Sequence, residues 1–230
     1  KTVLITGHTG FKGSWLTLWL KKMGAKVTGF SKDIPTTPSL FELADVANGI
    51  NSIEGNIRNF DEIYKAIKNT NAEIVFHMAA QSLVRESYQN PRETYETNVM
   101  GTVNLLDAIR DIKKTRLMIN VTSDKCYENK ELDRAYKEED SMGGYDPYSS
   151  SKGCSELVTS AYRNSYFQSD DHKIALSSVR AGNVIGGGDW AKDRLVPDLI
   201  QSIIDGKELK IRNPDAIRPW QYVLEPLSGY

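Results

Sequence analysis

The sequence predicts an α/β protein built on a doubly wound parallel sheet, and three observations lead to that prediction. Short runs rich in apolar and β-branched residues recur along the first 180 residues. Segments with the apolar spacing of amphipathic helices separate these runs. A glycine-rich turn joins the first run to the first helix. Strands that alternate with helices in this way favour a parallel sheet with helices on both faces.

The first predicted strand occupies residues 3–6 and ends at Gly7, and a helix with Trp15 and Trp19 on its apolar face begins at residue 11. Gly24 ends that helix, and the second strand follows at residues 26–31. The same alternation continues along the chain. Further strands are predicted at residues 52–55, 73–77, 116–123 and 173–180, and helices at residues 60–68, 92–110 and 148–167.

The pattern loosens after residue 180 into a run of three glycines, one helix at residues 196–205 and a short strand at residues 209–212. This shift predicts two domains. The first, residues 1–182, would carry the cofactor site and the catalytic residues. The second, residues 183–230, would begin a smaller substrate lobe.

The composition excludes several classes of function. The chain has 29 Lys and Arg against 30 Asp and Glu and no basic run, which disfavours nucleic-acid binding. No apolar stretch approaches the roughly 20 residues that cross a bilayer, and no secretory signal opens the chain, so we expect a cytoplasmic protein without a membrane partner. The two cysteines, Cys126 and Cys154, form neither a C-x-x-C pair nor a Cys/His cluster, so no metal site is expected.

Three glycines spaced three residues apart, Gly7, Gly10 and Gly13, stand between the first strand and the first helix. The first permits a tight turn, the second lets the backbone approach a pyrophosphate, and the third allows close packing of helix on strand. An ordinary strand-to-helix turn is the alternative. The position in the first βα unit favours a dinucleotide site, in which Thr9 and Phe11 of the same turn would also take part.

The end of the second strand leaves the choice between NAD and NADP open. The acidic residue that would bond the ribose 2′-hydroxyl is missing, and Ser31, Lys32 and Asp33 stand there instead. Lys32 would tolerate a 2′-phosphate, whereas Asp33 would reach the hydroxyl from the loop. On residues alone, the two cofactors are equally favoured.

Tyr148 and Lys152 lie four residues apart and therefore share one face of a predicted helix. A nearby ammonium would lower the pKa of the phenol from about 10, as a proton acceptor near neutral pH requires. Such pairs also occur by chance in many helices. A third group, Ser123, ends a predicted buried strand at the sheet edge where ligands bind, and its hydroxyl would bond the same substrate oxygen.

The glycine turn, Ser123 and the Tyr148–Lys152 pair together resemble the extended short-chain dehydrogenase/reductase family, and within it the nucleotide-sugar 4,6-dehydratases. The resemblance covers essentially the whole chain. Residues 77–81 are similar to the fourth strand end of that family and residues 98–102 to its following helix. It implies a Rossmann domain, a substrate lobe truncated at its C-terminal end, and a homodimer or homotetramer.

The resemblance also implies NAD as a bound and recycled cofactor and a nucleotide sugar as the substrate. Ser31 and Asn56 depart from the acidic residues common in the family. The residues expected to contact NAD are Gly7, Thr9, Gly10, Phe11, Gly13, Ser31, Asn56, Ile57, Ala79, Ala80, Gln81, Asn98, Tyr148 and Lys152. Asn183, Arg194 and Arg218 are expected to hold the substrate, since arginine matches phosphate bidentately.

The strand-end motif Ser123-Asp124-Lys125 is similar to that of the family members that act on CDP-glucose, whereas the TDP-glucose enzymes carry Thr-Asp-Glu. The resemblance therefore suggests catalytic roles for Asp124 as an acid at C6 of the sugar and for Lys125 as the base at C5 or an aid to it. A surface ion pair is the plain alternative. A 4-epimerase, a GDP-mannose-type dehydratase and an NAD-binding regulator stay open as other functions.

Overall fold

The computed structural model describes residues 1–130, 133–169, 173–209 and 211–230. Its centre is a six-stranded parallel sheet in the order β3-β2-β1-β4-β5-β6. The strands are β1 (Thr2–Thr6), β2 (Lys26–Ser31), β3 (Asn51–Glu54), β4 (Ile74–His77), β5 (Leu117–Val121) and β6 (Ala175–Val179). This order confirms the predicted doubly wound α/β fold, in which successive strands are added on one side of β1 up to β3 and on the other side from β4 onward.

Helices connect these strands. They are α1 (Phe11–Lys22), α2 (Leu40–Leu43), α3 (Phe60–Thr70), α4 (Val84–Gln89), α5 (Pro91–Tyr95), α6 (Gly101–Asp111), α7 (Pro147–Tyr166), α8 (Leu195–Asp205) and α9 (Leu224–Gly229). A π-helical turn at Glu96–Met100 joins α5 to α6, and a 3₁₀ turn at Asp124–Cys126 follows β5.

The central strands of the sheet are buried on both faces, as is typical of an all-parallel sheet, whereas the edge strand β3 is largely exposed. Successive residues of β1 point to opposite sides. Leu4 belongs to the apolar cluster formed with α3 and α6, whereas Val3 and Ile5 belong to the cluster that includes Leu16 of α1. Both clusters fix the positions of the strand ends. Between β1 and β4, where the strand order reverses, the helices that follow the two strands lie on opposite faces of the sheet and leave a crevice at its carboxyl edge.

The residues after 182 form a second, two-stranded parallel sheet from β7 (Asn183–Ile185) and β8 (Trp220–Tyr222). The chain then returns to the large sheet, because Val223 and Leu227 are buried in the α1 cluster. The domain boundary at residue 183 stays a prediction.

Most predicted elements differ from the observed ones by one or two residues at an end, and three differences are worth naming. The helix at 92–110 contains the π-helical turn, and the strand at 116–123 ends at Val121. The strand at 209–212 is wrong for its described residues, which form no strand, and Lys210 lies outside the described residues. Its two apolar residues alternated by chance with polar ones, whereas the small sheet uses β7 and β8 instead.

None of the helices in the described part of the chain is long and apolar enough for a membrane crossing. Among the same residues, no group of three or more His, Cys, Asp or Glu side chains is arranged to hold a metal ion.

We predict that Leu106→Ala lowers the free energy of unfolding by about 3 kcal/mol, because Leu106 is fully buried and its removal leaves a cavity. Leu43→Ala is the matched control, since Leu43 is 68% exposed and its loss should cost less than about 0.5 kcal/mol. Urea unfolding followed by circular dichroism measures both values. Equal losses in the two variants would contradict the assignment of the core.

Candidate active site

A cleft of about 1220 Å³ lies at the carboxyl edge of the sheet, at the point between β1 and β4 where the strand order reverses. Its walls come from the glycine turn, the ends of β2, β4 and β5, the start of α7 and the segment after β7. The cleft brings together nearly all of the side chains that the sequence singled out. Asn98 and Asp124 are the two predicted site residues that are not among its lining residues.

The glycine turn packs so tightly that its geometry requires glycine at two positions. Gly7 has a φ of +77°, and a Cβ there would lie 2.7 Å from the amide nitrogen of Ala79. A Cβ on Gly13 would lie 2.1 Å from the carbonyl oxygen of Gly7. The backbone can therefore approach a ligand closely. α1 begins at Phe11, and its N-cap residue Gly10 offers no side-chain cap, which leaves the first N–H groups of the helix for an anion. These features fit the diphosphate of a dinucleotide.

Ser31 faces the glycine turn, where a buried histidine holds it. Its hydroxyl lies 2.8 Å from Nδ1 of His8 and accepts a hydrogen bond from the backbone N–H of Thr9. Nε2 of His8 lies 2.7 Å from the Ser52 hydroxyl, and burial lowers the pKa of His8 to about 4. The ring is therefore neutral at physiological pH, and it ties the turn to β2 and β3. Sequence reasoning missed this role of His8.

The other residues predicted at the adenosine end also line the cleft, but their polar groups have partners within the chain. Nζ of Lys32 lies 3.7 Å from carboxylate oxygens of both Asp33 and Glu93. Oδ1 of Asn56 accepts hydrogen bonds from the backbone N–H and Nε of Arg58. These ion pairs and hydrogen bonds leave the choice between a ribose hydroxyl and a phosphate as open as the sequence did.

Asn98 stands behind the wall of the cleft. Its side-chain oxygen accepts a hydrogen bond from the backbone N–H of Gln81, and its amide donates to the Gln81 carbonyl and to Ser151. Ala79, Ala80 and Gln81 themselves line the cleft. Asn98 thus orients the segment after β4. This position favours an indirect role over the direct contact with a cofactor that was expected.

Tyr148 and Lys152 lie on the first two turns of α7, and both side chains are buried at the base of the cleft. Asp146 caps the helix by accepting a hydrogen bond from the backbone N–H of Ser149, and Pro147 occupies the first helical position. This cap fixes where the helix starts. It therefore also fixes where the phenol and the ammonium project.

The protonation of the pair differs from the expectation. Burial raises the pKa of Tyr148, and its hydrogen bond with Ser123 and the charge of Arg194 oppose that rise. Lys152, whose ammonium was expected to activate the phenol, is itself desolvated. Burial lowers its pKa to about 8. The expected lowering of the tyrosine pKa is therefore not found in this chain alone, because desolvation outweighs the neighbouring charge.

Ser123, Asp124 and Lys125 come shortly after β5, from which Thr122 separates them. Because β5 ends at Val121, Asp124 and Lys125 lie in the 3₁₀ turn and do not alternate across a strand. Nζ of Lys125 lies 3.4 Å from Oδ1 of Asp124 and 3.4 Å from Oδ1 of Asn183. The Lys125 side chain is 32% exposed and that of Asp124 is 30% exposed. Of the two, only Lys125 lines the cleft.

Cationic side chains also line the cleft. Arg194 lies 2.9 Å from a carboxylate oxygen of Asp189, and Arg218 is exposed. Lys12, inside the glycine turn, was missed by the sequence analysis. Burial, followed by the charges of Lys152 and Arg194, lowers the pKa of Lys12 to about 7, and its Nζ donates to the Tyr230 hydroxyl at 2.7 Å. A charged residue between two glycines of such a turn was the available signal.

The chain matches the family model described as GDP-mannose 4,6 dehydratase over residues 4–229. It is 58% identical to the CDP-glucose 4,6-dehydratase of Salmonella typhimurium over 100% of this chain and 65% of that protein. It is 25% identical to the dTDP-D-glucose 4,6-dehydratase of Dictyostelium discoideum over 99% of this chain and 54% of that protein. The chain thus spans slightly more than half to about two thirds of these relatives.

Solved structures share the fold. The dTDP-glucose 4,6-dehydratase DesIV of Streptomyces venezuelae, solved with NAD bound, superposes with a TM-score of 0.86 at 22% identity, over 100% of this chain and 70% of that one. The UDP-glucose 4-epimerase of Thermotoga maritima, solved with UDP-glucose, gives a TM-score of 0.86 at 20% identity, over 98% and 71%. At these identities the similarity supports the architecture alone.

We predict that Gly13→Ala abolishes dinucleotide binding and lowers the melting temperature, because the new Cβ would overlap the Gly7 carbonyl oxygen. Gly229→Ala is the control, since a Cβ there meets nothing within 4 Å. Differential scanning fluorimetry with and without NAD tests both variants. A Gly13→Ala protein that keeps its melting temperature and its NAD-dependent stabilisation would contradict the tight packing of the turn.

Proposed function

The chain belongs to the GDP-mannose 4,6-dehydratase family, and on that premise we propose that the protein is an NAD-dependent CDP-glucose 4,6-dehydratase. The product would be a CDP-4-keto-6-deoxy sugar, formed with loss of water, which makes the enzyme a hydro-lyase. The observation that carries the proposal is the 58% identity over the whole chain to the Salmonella typhimurium enzyme. A cytoplasmic location and a homodimer or homotetramer belong to the same proposal.

NAD fits the cleft because the glycine turn offers backbone N–H groups at the start of α1 and leaves no room for a Cβ at Gly7 or Gly13. Ala79, Ala80, Ile57 and the residues of the turn would hold it. When bound, NAD would supply the acceptor for hydride from C4 of the sugar and the donor of hydride to C6, so that no net redox change remains.

Tyr148 is proposed as the base that takes the proton of the sugar 4-hydroxyl, and Ser123 as the group that orients this hydroxyl. Both residues lie at the base of the cleft, and Ser123 already bonds the phenol. The Lys152 ammonium, one helical turn further along α7, would stabilise the phenolate. Because burial raises the pKa of Tyr148, a charged Lys152 is needed for this step.

Asp124 and Lys125 are proposed to carry the elimination that follows. The 4-ketone acidifies the C5 proton, which Lys125 would remove as a neutral amine while Asp124 protonates the departing C6 hydroxyl. The ion pair and its neutral form differ by one proton moved along the 3.4 Å contact between Nζ and Oδ1. A substrate that fills the cleft would exclude water from these part-exposed side chains.

Arg194 and Arg218 are proposed to bind the nucleotide diphosphate, and Asn183 to orient the sugar beside Lys125. Arg194 is held by Asp189, which aims its guanidinium across the cleft. The experiment that tests the function is incubation of the protein with NAD and CDP-, TDP-, UDP- or GDP-hexoses, followed by detection of a 4-keto product. Activity with CDP-glucose is expected. Activity confined to another nucleotide sugar would overturn the assignment.

We predict that Lys125→Met abolishes elimination but leaves reduction of NAD by CDP-glucose detectable, because the steps at O4 do not use Lys125. Absorbance at the NADH band reports the first half of the reaction, and the 4-keto-6-deoxy product reports the second. Lys130→Met is the matched control, since Lys130 is exposed and pairs with Glu128. Full turnover by Lys125→Met would remove Lys125 from the mechanism.

We predict that Tyr148→Phe lowers kcat by a factor of about 10² to 10⁴, the usual contribution of a positioned acid or base. The change leaves the ring and removes the hydroxyl that would accept the proton. Tyr145→Phe serves as the control because Tyr145 is fully exposed three residues away. Comparable kcat values for Tyr148→Phe and the unmodified protein would exclude Tyr148 as the base.

A further inference from the structure

Glu156 and Arg180 form a buried ion pair that neither the sequence analysis nor the proposed mechanism uses. The Glu156 side chain is 3% exposed and that of Arg180 15%. Nε of Arg180 donates to one carboxylate oxygen at 2.9 Å and Nη2 to the other at 3.0 Å. The Thr122 and Ser178 hydroxyls also donate to the carboxylate, so every lone-pair direction in the plane has a partner.

This pair joins the two segments that carry the proposed chemistry. Glu156 lies on α7, one turn after Lys152. Thr122 directly precedes Ser123, and Arg180 also donates through Nη1 to the hydroxyl of Tyr127, two residues after Lys125. A buried ion pair contributes little net stability compared with an apolar pair of similar shape. The position of the Glu156–Arg180 pair between α7 and the segment at residues 122–127 indicates that it serves to hold these two segments together.

We propose that Glu156 is a positioning residue whose carboxylate, set by Arg180, keeps Lys152 in the charged form that the proposed dehydratase reaction needs. This inference rests on the proposed function in one respect: the dehydratase reaction is the reason why a charged Lys152 is needed. Its physical content, the control of Lys152 by Glu156 and Arg180, is a property of the chain itself.

Among the titratable groups that face Lys152, Glu156 is the one that raises its pKa most. On α7 these are Tyr148 and Glu156; on other elements they are Cys126, His77 and Lys12. Burial lowers the pKa of Lys152 to about 8, and Glu156 followed by Cys126 raises it. The Cys126 thiol has its pKa raised to about 11 by burial, so it is neutral at pH 7.

The remaining neighbours give Lys152 no counter-charge. Burial lowers the pKa of His77 to about 3, so its ring is neutral, and Lys12 carries the same sign as Lys152. Tyr148 has its pKa raised by burial and is a neutral phenol at pH 7. Glu156 is therefore the one anionic group at pH 7 among these five neighbours, and Arg180 offsets part of its charge.

The test is the titration of Lys152 in the full chain, followed by the nitrogen chemical shift of its side chain in lysine-labelled protein. Lys152→Arg assigns the signal. Glu156→Gln removes the anion and leaves Arg180 uncompensated, so the pKa of Lys152 should fall by about one pH unit. Arg180→Met leaves Glu156 uncompensated, so the pKa should rise by about the same amount.

Two further variants separate charge from packing. The double variant Glu156→Gln/Arg180→Met should give a pKa of Lys152 between those of the two single variants and below the original value, because Glu156, which raises that pKa, is lost together with the charge that offsets part of it. Ser178→Ala removes a hydrogen bond to Glu156 and no charge, and should leave the pKa of Lys152 unchanged. If Glu156→Gln does not fold, the rise in Arg180→Met and its reversal in the double variant carry the same test.

Opposite shifts in the two single variants are the expected result. Shifts in the same direction would mean that both variants merely loosen α7 and admit water to Lys152, and would overturn the proposal, as would no shift in either. The titration needs neither cofactor nor nucleotide sugar, so its outcome is independent of whether the protein dehydrates CDP-glucose. In active protein, the pH profile of kcat should move in the same direction as the pKa of Lys152 in each variant.

Discussion

The burial of polar side chains on the inner face of α7 is the constraint on which the rest of the site depends. A helix packed on a parallel sheet normally buries an apolar stripe, yet α7 buries Tyr148, Lys152, Ser155, Glu156 and Thr159. Each such group costs free energy unless it finds a partner, so β5 and β6 must supply matching polar groups. Asn120 does so in the middle of β5, where its amide donates to Ser155 and Thr159. The register of α7 is thereby fixed by directional hydrogen bonds, and that register sets where Tyr148 and Lys152 lie.

The same burial shapes the electrostatics of the cleft. Lys12, Lys152 and Arg194 lie close enough that the charges of Lys152 and Arg194 lower the pKa of Lys12. Cations held together in a largely desolvated place repel one another, and an anionic ligand relieves that repulsion. A dinucleotide and a nucleotide sugar each bring a diphosphate. Binding of such a ligand would therefore be favoured, because its negative charge would offset the repulsion between the cations of the cleft.

Patterns local to one element allowed the strands of the large sheet and its longer helices to be predicted from the sequence, and most of the predicted site residues line the cleft. The glycine turn is one example, because the spacing of Gly7, Gly10 and Gly13 is itself the geometric requirement. What was missed depends on contacts between distant parts of the chain. Nothing in the sequence around His8 shows that Ser31 and Ser52 lie against its ring, and nothing around Glu156 shows that Arg180 reaches it. The pKa of Tyr148 was misjudged for the same reason, since burial is a property of the packed molecule.

The bond between Lys12 and Tyr230 has a consequence for the order of folding. The two residues are 218 positions apart, yet the lysine belongs to a turn formed by neighbours in sequence. Contacts of such long separation form late because they close the largest loop of chain. The backbone of the turn can thus assemble early with β1 and α1, whereas its charged side chain reaches its final setting only after α9 has docked.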